Sequence, residues 1–506
     1  MIDTKHPQYT EALPDWTTMS DCYAGQRQVK AQGKTYLPPT SGMIATGFGK
    51  TQANGLPMPG QAAYDAYRMR ANFHEFVRDA IDGMVGIIHR KPPTIELPAR
   101  IEMMLKNATR AHEPIATLWR RITQAQLKHG RIGLLVDIPH AAKIKDAIPY
   151  IATYDARTII NWDAGEREQG RHVVEFVVLD ESGPRRRGSL QWVDVVAYRL
   201  SALSEMIETI GASNQEAMGA GVYVTSQIVM DGDDARPLAE ANFVAPAIAG
   251  TQLQQVPFVF VNSKDLVPEP DLPPLLGLGN LALSIYRSEA DYRQSLFMQG
   301  QDTFVRIGAK EDAPPALGGG AVVNVPIGGD AKYVGVSSSG LSEQRQALEN
   351  DMTKASQQTI NMLDTKSGSA ESGDALRIRV ASRTATLSSI VTTGAQGLKD
   401  ALSHAARWMG ASESEIEAMV VEGNTDFSDH QAEPTALGAL MSAVASGAPL
   451  SLKTIHDWAR DNELTTLSFE EEMALIEGEM SEREPPAPEP PPEPPLDPDD
   501  PRRTAA

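Results

Sequence analysis

Apolar residues near the start of the chain recur at helical spacing. Leu13, Trp16, Met19 and Tyr23 fall at i, i+3, i+6 and i+10 and predict an amphipathic helix. A Pro- and Gly-rich loop follows from Pro38 to Gly60. A long helical pattern then runs from Ala62 to about His89, with Tyr64, Tyr67, Phe73, Phe76, Val77, Ile81 and Met84 as its apolar set. Lys91-Pro92-Pro93 ends it, because proline lacks the helical donor and clashes with the preceding turn. Another helix is expected from about Glu113 to Lys128, stopped by Gly130.

At Gly130 the period changes. GRIGLLVDIP is a short apolar run with turn residues on both sides and reads as a buried strand. Extended character continues through Tyr150–Trp162, His172–Leu179, Trp192–Leu200, Tyr223–Met230 and Val256–Asn262, with Gly-, Asp- and Pro-rich spacers. Residues 131–262 therefore predict a β-rich region, mostly antiparallel.

PEPDLPP, Pro268 to Pro274, punctuates the chain, and a long helix is expected from about Leu275 to Met298. Short strands follow around Thr303–Ile307, Ala321–Val325 and Lys332–Val336, separated by APPALGGG and GGD. A second helix covers about Ser342–Met362. A Gly/Ser-rich loop, Thr365–Gly373, leads into a third from Asp374 to Met409, with Leu376, Val380, Leu387, Ile390, Val391, Leu398, Leu402 and Trp408 as apolar positions. Residues 411–480 predict shorter helices with turns at Gly423 and Gly447-Ala448-Pro449. From Ser481 the composition becomes Pro- and Glu-rich, which favours a solvated polyproline-like tail that cannot bury enough apolar surface to offset ordering. No internal repeat is visible.

Composition narrows the class. A chain of 506 residues suggests about three units. With 41% hydrophobic, 6% aromatic and 22% charged residues it fits a soluble globular protein, not a disordered, collagen-like or membrane chain. The formal charge of −20 argues against tight grip on nucleic acid through phosphates, which calls for a basic excess. Cys22 is the single cysteine, so an internal disulfide and a cysteine-based zinc site are excluded; it reads as an ordinary small residue rather than a nucleophile. The N-terminus lacks the apolar region of a signal peptide, and no run of about 18 apolar residues predicts a membrane span. The expected location is the cytosol, or a particle assembled from it.

The motifs that suggest chemistry are weak. GFGKT at Gly47–Thr51 resembles a phosphate loop, but Ile44 stands where a Walker A motif needs glycine, so a glycine-rich surface loop is the better account. Gly277 and Gly279 begin a dinucleotide fingerprint that Ala282 does not complete. Gly318-Gly319-Gly320 reads as a hairpin turn. The ten histidines form no HxxxH or HExxH pair, and no GxSxG elbow occurs. His404 and His456 read as surface or core residues. Asp233-Asp234, Asp499-Asp500 and Glu470–Glu472 read as solvated carboxylates. No enzyme activity, metal or cofactor is expected.

What remains is an order of elements. Two long helices flank a small β module at 300–340, and a Gly/Ser loop of about nine residues precedes another long helix; loops of that length between helices tend to be functional. A plain helical hairpin with a β insert is the simpler reading. Four segments carry a more specific one: WTTMSDCYAGQRQVKAQGKTYLP near the N-terminus, RTIINW at Arg157–Trp162 after GRIGLLVD, PFVFVNSKD at Pro257–Asp265, and SGDALRIR at Ser372–Arg379. In these segments and their order the chain resembles the portal proteins of tailed bacteriophages, in the subgroup long labelled a domain of unknown function. The resemblance spans about residues 7–480.

The resemblance implies an α+β portal fold. Residues 1–130 would be the helical part of the wing and 131–265 its β-rich part. Residues 266–299 and 341–363 would be stem helices, 300–340 the clip, and 364–373 the tunnel loop. Residues 374–409 would be the long helix behind that loop, 410–480 a helical crown, and 481–506 a disordered acidic tail. It implies a ring, typically of twelve copies, at the capsid vertex, through which double-stranded DNA is packaged and ejected. The partners implied are the terminase large subunit, a head–tail adaptor, and the major capsid and scaffolding proteins, with no membrane. The location is the virion, assembled in the host cytoplasm.

A channel that lets DNA slide should not hold phosphates tightly, and a charge of −20 suits a repulsive wall. Lys366, Ser367 and Ser369 in the tunnel loop are candidates to face DNA. Arg377, Arg379 and Arg383 are basic candidates near the constriction, or else form ion pairs with acids such as Asp374. Arg306, Lys310 and Lys332 are clip candidates. A ring also needs head-to-tail interfaces, which Leu275, Leu276, Leu278, Leu281 and Ile285 on one side of the first stem helix, and Tyr286, Glu289 and Arg293 on others, are expected to supply. Two other readings stay open: a virion structural or adaptor protein that assembles without conducting DNA, favoured if 300–340 packs back on the body, and a phage enzyme fused to a structural module.

Overall fold

The chain passes from helix to strand at Gly130, where the sequence changes period. The computed structural model describes residues 1–139, 148–167, 171–209, 221–230, 238, 241–300, 303–308, 325, 327–334, 340–363, 373–425, 427, 434–447, 451–461, 464–465 and 467–482. It gives the backbone alone at 166–167, 171–172, 208, 303–304, 333–334, 360–363, 373–384, 434–437, 445, 461 and 479–482. The strand expected at Ala321–Val325, the turn Gly318-Gly319-Gly320, most of the loop Thr365–Gly373 and nearly all of the tail lie outside the described residues.

Helix α1 (Pro7–Ala24) starts with Pro7 at its first position and ends at Gly25, whose φ of 91° most residues avoid. It buries Tyr9, Trp16, Met19 and Cys22. Helices α2 (Gln26–Ala31) and α3 (Ser41–Ala45) follow, the latter capped by the Thr40 hydroxyl. The single helix expected over 62–89 is two, α4 (Pro59–Arg70) and α5 (Phe76–Ile88). The chain breaks because Ala71 turns extended and the Phe73 N–H donates to Gln26 Oε1 (3.1 Å) instead of a helical carbonyl. The Phe73 ring then packs edge-on against Tyr286. After strand β1 (Thr94–Glu96), helix α6 (Ile115–His129) ends at Gly130, which is left-handed (φ 74°); a Cβ there would sit 2.9 Å from the carbonyls of Asp271 and Leu272.

Every pairing among the described strands is antiparallel. Strand β2 (Arg131–Asp137) is buried at all seven positions, hence its continuous apolar run. It lies between β3 (Tyr150–Asp155) and the later strand Phe258–Asn262, with Leu134 opposite Thr153 and Val259. Strands β4 (Ile159–Arg167) and β5 (Arg171–Asp180) begin a second sheet. The strand expected at Trp192–Leu200 is split. Strands β6 (Gly183–Arg187) and β7 (Gln191–Val195) form a hairpin that, among the described residues, pairs only with itself. Strand β8 (Ala197–Leu203) joins β5, and after α7 (Met206–Thr209), β9 (Tyr223–Val229) completes the order β4-β5-β8-β9. Strands β10 (Ala247–Ile248) and β11 (Thr251–Gln252) form a small hairpin before β12 (Phe258–Asn262).

Arg199 ties the two sheets. Its Nη1 donates to Asp137 Oδ2 (2.9 Å) and its Nε to Glu181 Oε1 (2.6 Å), while Tyr154 and Tyr150 donate to the same carboxylates. Burial alone would raise the Glu181 carboxyl; the Arg199 charge and the hydrogen bonds outweigh it and hold the group below its usual range.

Helix α8 (Leu276–Gln299) runs to strand β13 (Thr303–Ile307), which pairs with β14 (Asp330–Val334) before helix α9 (Leu341–Leu363). Helix α10 (Gly373–Trp408) then crosses the β12-β2-β3 sheet and buries Leu387, Ile390, Val391, Leu398, Leu402 and Trp408 in the core. Gly397 allows the approach: a Cβ there would be 2.4 Å from Val261 Cγ2. Helix α11 (Glu413–Glu417) opens on a Ser412/Glu415 capping box, and strand β15 (Val420–Glu422) pairs back with β1. The chain forms two compact units, Met1–Phe427 and Ser428–Ala506. Residues 410–427, expected to belong with the later helices, are thus in the first. The second contains α12 (Pro434–Ala445), α13 (Leu452–Asp461) and α14 (Phe469–Glu482), with His456 edge-on to Phe469.

Candidate functional site

Residues 276–363 form the part of the first unit that the sequence singled out. Thr303 pairs with Val334 and Ile307 with Asp330, so the end of α8 and the start of α9 meet the same end of one hairpin. The two helices, which pack on each other, therefore run antiparallel. At 1.5 Å per residue each is about 35 Å long.

Helix α8 is anchored along most of its length. Cys22 Sγ approaches the Gly279 carbonyl (3.9 Å), and a Cβ on Gly279 would lie 2.8 Å from Met19 Sδ. Gly279 thus serves close helix packing, not a nucleotide. Tyr67 donates to Asp291 Oδ1 (2.6 Å), Arg287 to the Tyr36 carbonyl (2.9 Å), and the Arg70 guanidinium lies over the Phe297 ring (3.9 Å). Leu278, Ile285, Tyr286 and Glu289 are buried within the chain. That corrects their expected role: these side chains are occupied internally and do not supply an intersubunit face. Leu296, Met298 and Ile307 are exposed beyond them. Helix α9 buries Leu348, Ala355 and Thr359 along one narrow stripe and presents mostly polar residues elsewhere.

The two described clip candidates do not share a face. Lys332 opposes Val305 while Arg306 opposes Ala331, so alternation puts the two cations on opposite faces of the ribbon. Lys310, Lys366, Ser367 and Ser369 lie outside the described residues. Arg379 and Arg383 are one turn apart on α10, whereas Arg377 is roughly 160° around the helix from Arg379.

Other chemistry reads as structure. The Ser20 hydroxyl and His129 Nε2 are 2.6 Å apart, and His129 Nδ1 lies 3.3 Å from Asp155 Oδ2, the connectivity of a hydrolase triad. The Nδ1 has no hydrogen-bond partner, however, and Ser20 sits inside α1, where its backbone N–H belongs to the helix. Burial pushes His129 down to about 3 against the opposing pull of Asp155. We read the trio as a tie between α1 and α6. Cys22 is buried, and desolvation pushes its thiol up to about 12, which fits an inert packing residue. The loop at Gly47–Thr51 packs on α4: Phe48 is edge-on to Tyr64, and Gly60 abuts the Met43 carbonyl so closely that a Cβ would fall 2.2 Å from it. Among the described residues no cluster of three metal-binding side chains occurs, and no helix is long and apolar enough to cross a membrane.

Two further features were missed in the sequence. Arg131 is buried between the rings of Phe260 (4.1 Å) and Trp162 (4.4 Å), with His6 stacked on the indole. Its Nη2 donates to the Pro268 carbonyl (2.7 Å), and desolvation lowers the guanidinium to about 9. Nearby, a cleft of about 310 Å³ lies between β12, the Val173-Val174 end of β5 and one face of α10 bearing Asp400, Ser403, His404 and Arg407.

Residues 274–409 match a family described as a domain of unknown function, DUF4055. The match covers α8 through α10 with the ribbon between them. No curated protein matches the chain. Among solved structures, a chain of the neck of a native GTA particle, computed with C12 symmetry, is 11% identical with a TM-score of 0.35, covering 83% of this chain and 92% of that one. A chain of the neck of an empty GTA particle, computed with C6 symmetry, is 12% identical with a TM-score of 0.36, covering 75% and 88%. Superpositions this loose carry no argument about fold or function.

Proposed function

We propose that this chain is the portal subunit of a tailed-phage particle, a noncatalytic ring protein at the capsid vertex through which double-stranded DNA enters and leaves. The observation that carries the reading is the antiparallel pair α8/α9, joined through a ribbon that has no other sheet partner among the described residues and followed by the core-spanning α10. In this reading α8 and α9 are the stem, the 300–340 segment is the clip that meets terminase and then the adaptor, and α10 stands behind the tunnel loop. The polar surface of α9 and the net charge of −20 suit a wall along which DNA slides without being held. A Lys366→Ala chain should assemble normally and package poorly if that loop touches DNA. Among the described residues the ribbon's two strands pair with each other, which is the arrangement the portal reading uses.

The test is the mass of the purified 54.7 kDa chain together with class-averaged electron images. A ring with a central hole, near twelve copies and on the order of 650 kDa, is expected from head-to-tail closure. A stable monomer or two-fold dimer at high concentration in every salt would remove the portal reading.

A further inference from the structure

The hairpin β6–β7 has a composition that its place in the fold does not explain. Among the described residues it pairs with no other strand, and its turn at Gly188 is left-handed (φ 69°). Arg186 opposes Trp192 and Pro184 opposes Asp194, so these four share one face, while Arg185 and Val193 share the other. Trp192 is 65% exposed and Leu190, in the turn, 86%. Tryptophan and arginine are among the residue types most enriched at the energetic centre of protein interfaces. The face carries one cation and one carboxylate, which is not the charge of a nucleic-acid contact.

The cleft beside α10 is the complementary feature. Its apolar lining includes Val173, Val174, Phe258, Phe260 and Leu266, Gln255 and the α10 side chains supply a polar side, and its volume of about 310 Å³ is at the small end for a binding pocket, the size for a single large side chain. Arg407 on its α10 wall is already held by Glu413 (2.8 and 3.0 Å). Asp400, one helical turn before His404, accepts from Gln396 Nε2 (2.7 Å) through one carboxylate oxygen and adds a second carboxylate at that edge. The cleft includes one end of β5, and the hairpin leaves from the other end, roughly 20 Å away along the strand. Knob and hole thus sit at opposite ends of one strand.

We infer that Trp192 of one copy seats in the Val174/Phe260 cleft of a second copy of this chain, with Arg186 directed to Asp400. Two different patches meet, so the contact is head-to-tail and propagates around a ring instead of closing a two-fold dimer. The inference rests on the ring reading above and supplies an interface that the internally buried stem residues do not.

The test uses the full chain with Leu190→Cys, in the exposed turn beside the intact Trp192, and Gln255→Cys, at the exposed rim of the cleft. Cys22, buried, does not compete for a thiol reagent. A short bismaleimide should give a ladder of multimers on a denaturing gel, and a mixture of the two single variants should stop at dimers. Trp192→Ser should raise the concentration for half-assembly at least tenfold with an unchanged melting temperature. Asp400→Arg should weaken assembly similarly, and Arg186→Asp in the same chain should restore it. If wild-type rings form while the double-cysteine chain stays monomeric and Trp192→Ser assembles normally, the inference is overturned and the ring reading stands. If the wild type never assembles, both fall. If reversing Arg185, Arg186 and Arg187 abolishes DNA retention with assembly intact, the hairpin is a nucleic-acid contact and the inference is wrong.

Discussion

Burial holds three histidines of the first unit in their neutral form. His89, beside the Thr123 hydroxyl, and His404, on the cleft wall, are pushed down to about 4, and His129 to about 3. In the unfolded chain each binds a proton near pH 6.5. Between that value and about 4 the unfolded state therefore carries more protons, and stability falls as pH falls, by up to about 1.4 kcal/mol per pH unit for each histidine. The denaturant midpoint should drop steadily from pH 6.5 to 4.5, and His404→Gln should flatten that slope relative to the wild type. Little of this was legible in the sequence, where an isolated histidine in a helical pattern looks the same whether solvated or buried. The Arg131 sandwich was equally hidden, because Trp162 and Phe260 come to it from strands far apart in the chain. Trp192 was visible, but it was read into a following strand. The arginine-rich partner strand Gly183–Arg187 has no apolar alternation, so nothing in the pattern separated a hairpin there from a loop.

At the scale of elements, two glycines in helices behave oppositely. Gly397 lies against Val261, where an added methyl has no room, while a Cβ on Gly277 in α8 meets nothing within 4 Å. Gly397→Ala should cost about 1–3 kcal/mol through overpacking between α10 and β12. Gly277→Ala should be neutral or stabilise by up to about 1 kcal/mol through helix propensity. Urea titration of the pair gives the contrast, and equal effects would contradict the close approach. The helices α1, α6, α8, α9 and α10 were legible because each keeps its apolar stripe and is bounded by proline or glycine. The break between α4 and α5 was not: no proline or glycine marks it, and its cause is the Gln26 amide reaching Phe73 from another helix. Strands β1 and β15 were missed for a related reason. Each is three residues long and exists only because the other lies beside it.

At the scale of the molecule, the division at Phe427 makes a direct prediction. A chain ending at Phe427 should fold alone and keep the thermal transition of the first unit in the full-length protein, because β15, α11 and α10 close that core without later residues. Loss of the transition on truncation would mean that the second unit completes the fold. The same closure governs how the polypeptide can be made. Residues between Ala395 and Val421, Leu398, Leu402, Trp408 and Ile416 among them, complete a core that residues 2–261 begin, and among the described residues β15 is the one sheet partner of β1. A growing chain that has just finished β12 has its central sheet uncovered until α10 and β15 emerge. At roughly 5–20 residues per second, that exposure lasts on the order of ten seconds. The nascent chain thus carries an uncovered apolar sheet during synthesis, the kind of surface chaperones bind. Under the proposed portal reading, a ring can be built only from released, finished chains, so its assembly rate would follow their concentration in the cell and not the spacing of ribosomes along a message.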